Sequence, residues 1–202
     1  KKNMKLTKNH WLLVGFNALY IIPFTLYYLS IGNYEFLIYI AVLVAIALLI
    51  VGTLKSTNLD LFALSGLSIW GLLHMLGGGL HINGATLYKF RIIELLNRGG
   101  DFYILKMDQV IHFYGFFITA IVVYQLLAPY FSNKKSLKLQ IFLAWIGSMG
   151  LGALNEVVEF FAFVVLSNTG VGDLYNTALD LVFNMFGALI GAFVTSYYLR
   201  KK

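Results

Sequence analysis

YEFLIYIAVLVAIALLIVGTL, residues Tyr34–Leu54, carries one charge, Glu35, near its start and none after it. At about 1.5 Å of rise per residue, a helix of this length covers roughly 30 Å, the thickness of a bilayer's hydrocarbon core. Reading outward from it, Trp11–Ser30, Asp60–Ile82, Asp108–Phe131, Leu139–Leu166 and Thr177–Leu199 are apolar runs of comparable length. The expectation is an all-α polytopic membrane helical bundle with six transmembrane helices, one integral membrane domain over residues 1–202. Of the 202 residues, 59% are hydrophobic and 12% charged, half the charge usual for a soluble domain. Porin-like alternation is absent, which argues against a β-barrel. No cleavable signal peptide is expected, because the first apolar run is long and lacks a small-residue cleavage pattern.

There is no cysteine, so disulfides, thiolate chemistry and cysteine-ligated metals are excluded. The net charge of +6 does not point to nucleic acid, because the basic residues cluster at the ends of apolar runs as membrane anchors do. Lys1, Lys2, Lys5, Lys8, Lys55, Lys134, Lys135, Lys138, Arg200, Lys201 and Lys202 all fall on one side of a six-span chain. Lys89, Arg91, Arg98 and Lys106 fall on the other, in the loop 83–107. The positive-inside bias predicts both termini cytoplasmic, in an inner or plasma membrane. Within the long loop, Leu87–Leu96 mixes apolar and charged residues and Asn97–Asp101 is a turn signal. A hairpin and a short interfacial helix fit it equally well.

The chemistry sits in the spans. His74, His81, Asp108, His112, Glu156, Glu159 and Asp180 lie in or beside apolar runs. Each charge in hydrocarbon costs roughly 3 kcal/mol on insertion scales, which makes such residues functional candidates. Counting helical rise, all of them fall towards the outer face. Helical spacing groups Gly71, His74, Gly78 and His81; Asp108, His112, Gly115 and Thr119; Ser148, Gly152, Asn155 and Glu159; and Asp180, Asn184, Gly187 and Gly191. Spans one and two lack such a stripe, so spans three to six are expected to form the core. Glu156 and Glu159, one turn apart, repel each other unless protonated, paired or bridged by a cation. Imidazole and carboxylate ligands suit Zn²⁺, Mn²⁺ or Fe²⁺. The metal ligands expected are His74, Asp108, His112 and Asp180, with Glu156 or Glu159 as general base and His81, Asn155 and Asn184 as supporting polar groups. No His-Glu-x-x-His and no paired Glu-x-x-His is present.

The ordered motifs are His74-Met-Leu-Gly-Gly, Asp108-x-x-x-His112-Phe, Asn155-Glu156-x-x-Glu159 and Gly172-Asp173-x-Tyr175-Asn176-Thr-x-x-Asp180-x-x-x-Asn184-x-x-Gly187-Ala188-x-x-Gly191. Over roughly residues 70–195 they resemble the YjdF-like family of membrane proteins of unknown function. The back half also resembles the wider VanZ-like group, named for a teicoplanin-resistance protein. The resemblance implies a multi-pass inner-membrane protein with its motif residues near one face. Relatives often carry Tyr-Asp where this chain has Tyr175-Asn176.

Three functions compete. One is a metal-dependent membrane-embedded hydrolase or modifying enzyme acting on a lipid, envelope precursor or other amphiphile at the outer leaflet. Another is a proton- or ion-coupled small transporter, for which the interrupted Gly77-Gly78-Gly79 helix speaks and the apolar inner halves of the spans do not. The last is a non-catalytic membrane scaffold held together by its buried acids. Membrane lipids are the one partner common to all three.

Overall fold

The computed structural model describes residues 7–99, 102–131, 136–166 and 169–199. The anchors expected at Lys1, Lys2, Lys5, Lys134, Lys135, Arg200, Lys201 and Lys202 lie outside the described residues, as do Gly100 and Asp101 of the expected turn. Among the described residues are six helices long and apolar enough to cross a membrane. They are α1 (Lys8–Ser30), α2 (Tyr34–Thr57), α3 (Leu61–Gly79), α4 (Met107–Leu127, continued by a 3-10 turn to Tyr130), α5 (Leu137–Val165) and α6 (Leu174–Leu199). Between α3 and α4 lie β1 (His81–Ile82), β2 (Ala85–Thr86), β3 (Arg91–Gly99) and β4 (Phe102–Lys106). The chain divides into two compact units, residues 1–87 with 158–171, and residues 88–157 with 172–202.

The first unit is built on ring-into-glycine packing. α3 presents Gly71, Gly78 and Gly79, and aromatic side chains sit where a Cβ would otherwise be. The Tyr20 hydroxyl lies over Gly71, the Phe36 ring over Gly78, and Phe24 with Tyr28 over Gly79. The fully buried Tyr28 stacks on Phe36 with centroids 4.7 Å apart and donates its hydroxyl to the Met75 carbonyl at 2.7 Å. Asp60 caps the start of α3 by accepting the Ala63 N–H at 2.9 Å. This packing corrects one expectation. α3 groups with α1, α2 and residues 158–171, and its glycines receive aromatic side chains. A second correction concerns the end of that span. The helix stops at Gly79, and His81–Thr86 form a hairpin around Asn83-Gly84, both at positive φ (52° and 83°), the arrangement of a two-residue primed turn. His81 is therefore off the helix and does not extend the His74 stripe.

The second unit joins β3, β4, α4, α6 and α5 as far as Val157. β3 and β4 pair antiparallel, so the loop is a hairpin, and the interfacial-helix alternative falls away. α4 and α6 approach closely because α6 has no side chain at Gly187 and Gly191. A Cβ at either would overlap the backbone carbonyl of Phe113 or Phe117. α5 is fastened by Ser148 donating to the Phe116 carbonyl at 2.9 Å and by the Trp145 indole donating to the Met185 carbonyl at 3.2 Å. Large apolar side chains such as Leu48, Leu49, Phe160 and Val165 are more than half exposed, while Gln109, Ser148, Asp180 and Asn184 are buried. That distribution suits a lipid solvent, where burying apolar surface gains nothing and polar groups must find partners inside.

Candidate functional site

Two helical rows meet in the second unit. Asp108 and His112 lie one turn apart at the start of α4, and Asn176, Asp180 and Asn184 lie at successive i+4 positions at the start of α6. The glycine contact between these helices brings the rows together, and Glu156 enters from α5. Asp180 and Asn184 are 1% exposed, His112 5% and Glu156 8%.

The hydrogen bonds fix the roles. Lys106, the residue before α4, is buried and donates its ammonium to Asn176 Oδ1. Asn176 Nδ2 donates to Asp180 Oδ2 at 2.6 Å and to Asp108 Oδ2 at 3.3 Å. Asn176 is held in turn by Asp173, which accepts its backbone N–H at 3.0 Å. Gly172 is needed beside it, since a Cβ there would overlap the Asn176 side chain. On the ring of His112, Nδ1 lies 3.1 Å from Asn184 Oδ1 and 3.6 Å from Glu156 Oε1. Both are acceptors, so in the neutral ring the proton belongs on Nδ1. The lone pair of Nε2 then faces Asp108 Oδ1 at 3.6 Å. Among the described residues, Asp180 Oδ1 and Asn184 Nδ2 are buried without a hydrogen-bond partner.

The centre thus holds an unpartnered carboxylate oxygen, Asp180 Oδ1, and an unpartnered amide N–H, Asn184 Nδ2. Asp108, His112 and Asp180 each offer a ligand atom, all within 4.8 Å of one another. Metal bonds of about 2.1 Å bridge donors at most about 4.2 Å apart, so the side chains must draw in by several tenths of an ångström to close on a cation. The charged neighbours of Asp180 are His112, Asp108, Glu156 and Lys106.

Two of the other expected site residues, His74 and His81, fall elsewhere. His74 belongs to the first unit, half-buried among Phe36, Tyr39 and Trp70, with ring centroids 6.1, 5.5 and 6.4 Å away. His81 is exposed, with Nδ1 3.3 Å from the Gly79 carbonyl. Glu159, half-buried, also belongs to the first unit, while Asn155, half-buried, lies in the second. Two central residues escaped the sequence reading. Lys106 looked like one of four loop cations. Asn176 stands four before Asp180 and eight before Asn184, on the same face as both.

Residues 12–201 match the model of a family described as "Predicted membrane protein (DUF2238)". No curated protein matches the chain, and no solved structure does.

Proposed function

We propose a function from this premise: the chain belongs to DUF2238, a family of predicted membrane proteins, and is a multi-pass membrane protein. The second unit is a divalent-metal centre, with Asp108, His112 and Asp180 as ligands and Zn²⁺, Mn²⁺ or Fe²⁺ as the ion. The observation that carries this is the convergence of Asp108, His112 and Asp180, each with a ligand atom within 4.8 Å of the others', together with the unpartnered Asp180 Oδ1. Three acceptors facing one another in a buried site repel unless a cation or proton lies between them.

The remaining residues have supporting tasks. Asn184 accepts the Nδ1 proton, with Glu156 Oε1 3.6 Å from the same nitrogen, and so aims Nε2 at the centre, the usual outer-shell device for a metal-bound imidazole. This makes Glu156 a positioning residue, on the far side of the ring from Asp108. Lys106 and Asn176 hold the two aspartates apart and orient their free oxygens. A bound divalent ion would polarise an acyl or phosphoryl oxygen. The function that follows is a metal-dependent enzyme acting on a lipid or lipid-linked amphiphile. It works from the outer face of the plasma membrane, with both termini cytoplasmic, as the lysine distribution supports. The likeness to YjdF-like and VanZ-like proteins adds an envelope setting by analogy.

The test is metal-dependent turnover. The reconstituted full chain, supplied with Zn²⁺ or Mn²⁺, should release product from phospholipid or lipid-linked substrates by mass spectrometry. Chelation or Asp180→Asn should abolish that release. Metal binding without turnover on any amphiphile would remove the enzyme and leave the metal site. A second reading has its own observation, because His112 lies between Asp108 on Nε2 and Glu156 on Nδ1, each at 3.6 Å. An imidazolium between two carboxylates is a proton station. Proton flux in metal-free proteoliposomes, lost in His112→Gln, would favour that reading.

A further inference from the structure

The first unit contains a cleft unrelated to the metal-ligand residues, lined by α1, α2 and α3 and enclosing about 140 Å³. Its walls include Val14, Ala47, Ile50, Leu54 and Trp70, and Val14, Ile46 and Val51 are exposed along its edge. Along α2 it runs from Leu43 to Leu54, about 16 Å of helix. This stretch is the half of the span nearest Lys55, and on α1 the half nearest Lys8. The deep end is closed by a hydrogen-bonded set. Asn17 Nδ2 donates to Ser68 Oγ at 2.8 Å, and the Tyr20 hydroxyl donates to Asn17 Oδ1 at 2.6 Å. The amide is therefore satisfied and the rest of the lining is left almost wholly apolar.

An apolar cavity of this size excludes water and accepts a hydrocarbon group. Within a membrane span, the hydrocarbon at hand is an acyl chain. The mouth adds a charge preference. Lys8, two residues before the lining His10, and Lys55, next to the lining Leu54, are both exposed. Asp60, the acid at the same end, is engaged at the cap of α3. Exposed lysines at a membrane surface favour anionic head groups.

We propose that this cleft is a binding site for an anionic glycerophospholipid of the leaflet at the Lys8–Lys55 end, with one acyl chain between α1, α2 and α3. The chain lies against Trp70 and the head group lies between the two lysines.

Trp70 reports on the site directly. In full chain carrying Trp11→Phe and Trp145→Phe, Trp70 emission is read in phosphatidylcholine vesicles doped with brominated phosphatidylglycerol or brominated phosphatidylcholine. The glycerol lipid should reach half-quenching at about fivefold lower mole fraction. Ala47→Phe, which fills the cleft, should remove most of the quenching. Lys8→Gln with Lys55→Gln should keep the quenching and lose the head-group preference, which tests the site even if Ala47→Phe fails to fold. A protein with Trp145 alone should show no preference. Equal quenching by the two lipids, a preference that survives loss of both lysines, or an unquenched Trp70 covered by another chain would overturn the proposal.

Discussion

Asn176 does the most for its size. Its amide joins an ammonium to two carboxylates, accepting from Lys106 and donating to Asp108 and Asp180. Asn176→Ala would leave Lys106 and Asp180 buried with fewer partners. A cost of about 1–3 kcal/mol is expected, read as a lower unfolding midpoint in detergent. Asn176→Asp should cost at least as much as Asn176→Ala at neutral pH, because the carboxylate that still accepts from Lys106 turns a second oxygen on Asp108 and Asp180 in place of the donating amide. Equal stability of the alanine variant and the parent would show that the network carries no weight. At Gly84, with φ of 83°, the backbone itself demands glycine. Gly84→Val should loosen the β1–β2 hairpin, seen as faster amide exchange at Ile82 and Ala85.

At the scale of elements, glycine has two different jobs. In α6 it admits another helix's backbone, and in α3 it admits aromatic rings. Gly187→Ala or Gly191→Ala must push α6 off α4, at a cost of about 1–3 kcal/mol. Gly15→Ala and Gly52→Ala meet nothing within 4 Å and should be neutral or slightly stabilising. A thermal-unfolding series of the four variants separates the cases, and a uniform response would refute the packing described. These two uses also mark what was legible in the sequence. Helix existence was, since length and apolarity suffice: Tyr34–Thr57 and Leu137–Val165 differ from the expected spans by two or three residues at an end. The partners of each helix were not, because small residues at helical spacing announce a close approach and not what approaches. For this reason the grouping of α3 with α1, α2 and residues 158–171 was not readable, nor was the aromatic surround of His74. Of the site, the Asp108–His112 and Asp180–Asn184 rows could be read from spacing. Lys106 could not, because a lysine at a span's edge resembles an anchor until its ammonium is seen turned inward.

On the scale of the whole molecule, lysine asymmetry predicts that both ends of the chain face the cytoplasm. The absence of cysteine makes this simple to check. Single-cysteine variants Lys89→Cys and Ser56→Cys lie on opposite sides of a six-span chain and at exposed positions. An impermeant maleimide should label Lys89→Cys in intact cells and Ser56→Cys only after permeabilisation; the reverse pattern would put the Asp108, His112 and Asp180 cluster at the inner face. The centre itself is tested most directly by metal content. Full chain purified in detergent, loaded with Zn²⁺ and freed of excess ion, should retain about one equivalent. His81→Gln should retain the same, while Asp180→Asn and His112→Ala should retain almost none with their helical content intact. A folded parent protein that keeps no zinc, manganese or iron, or variants that bind as well as it does, would contradict the account.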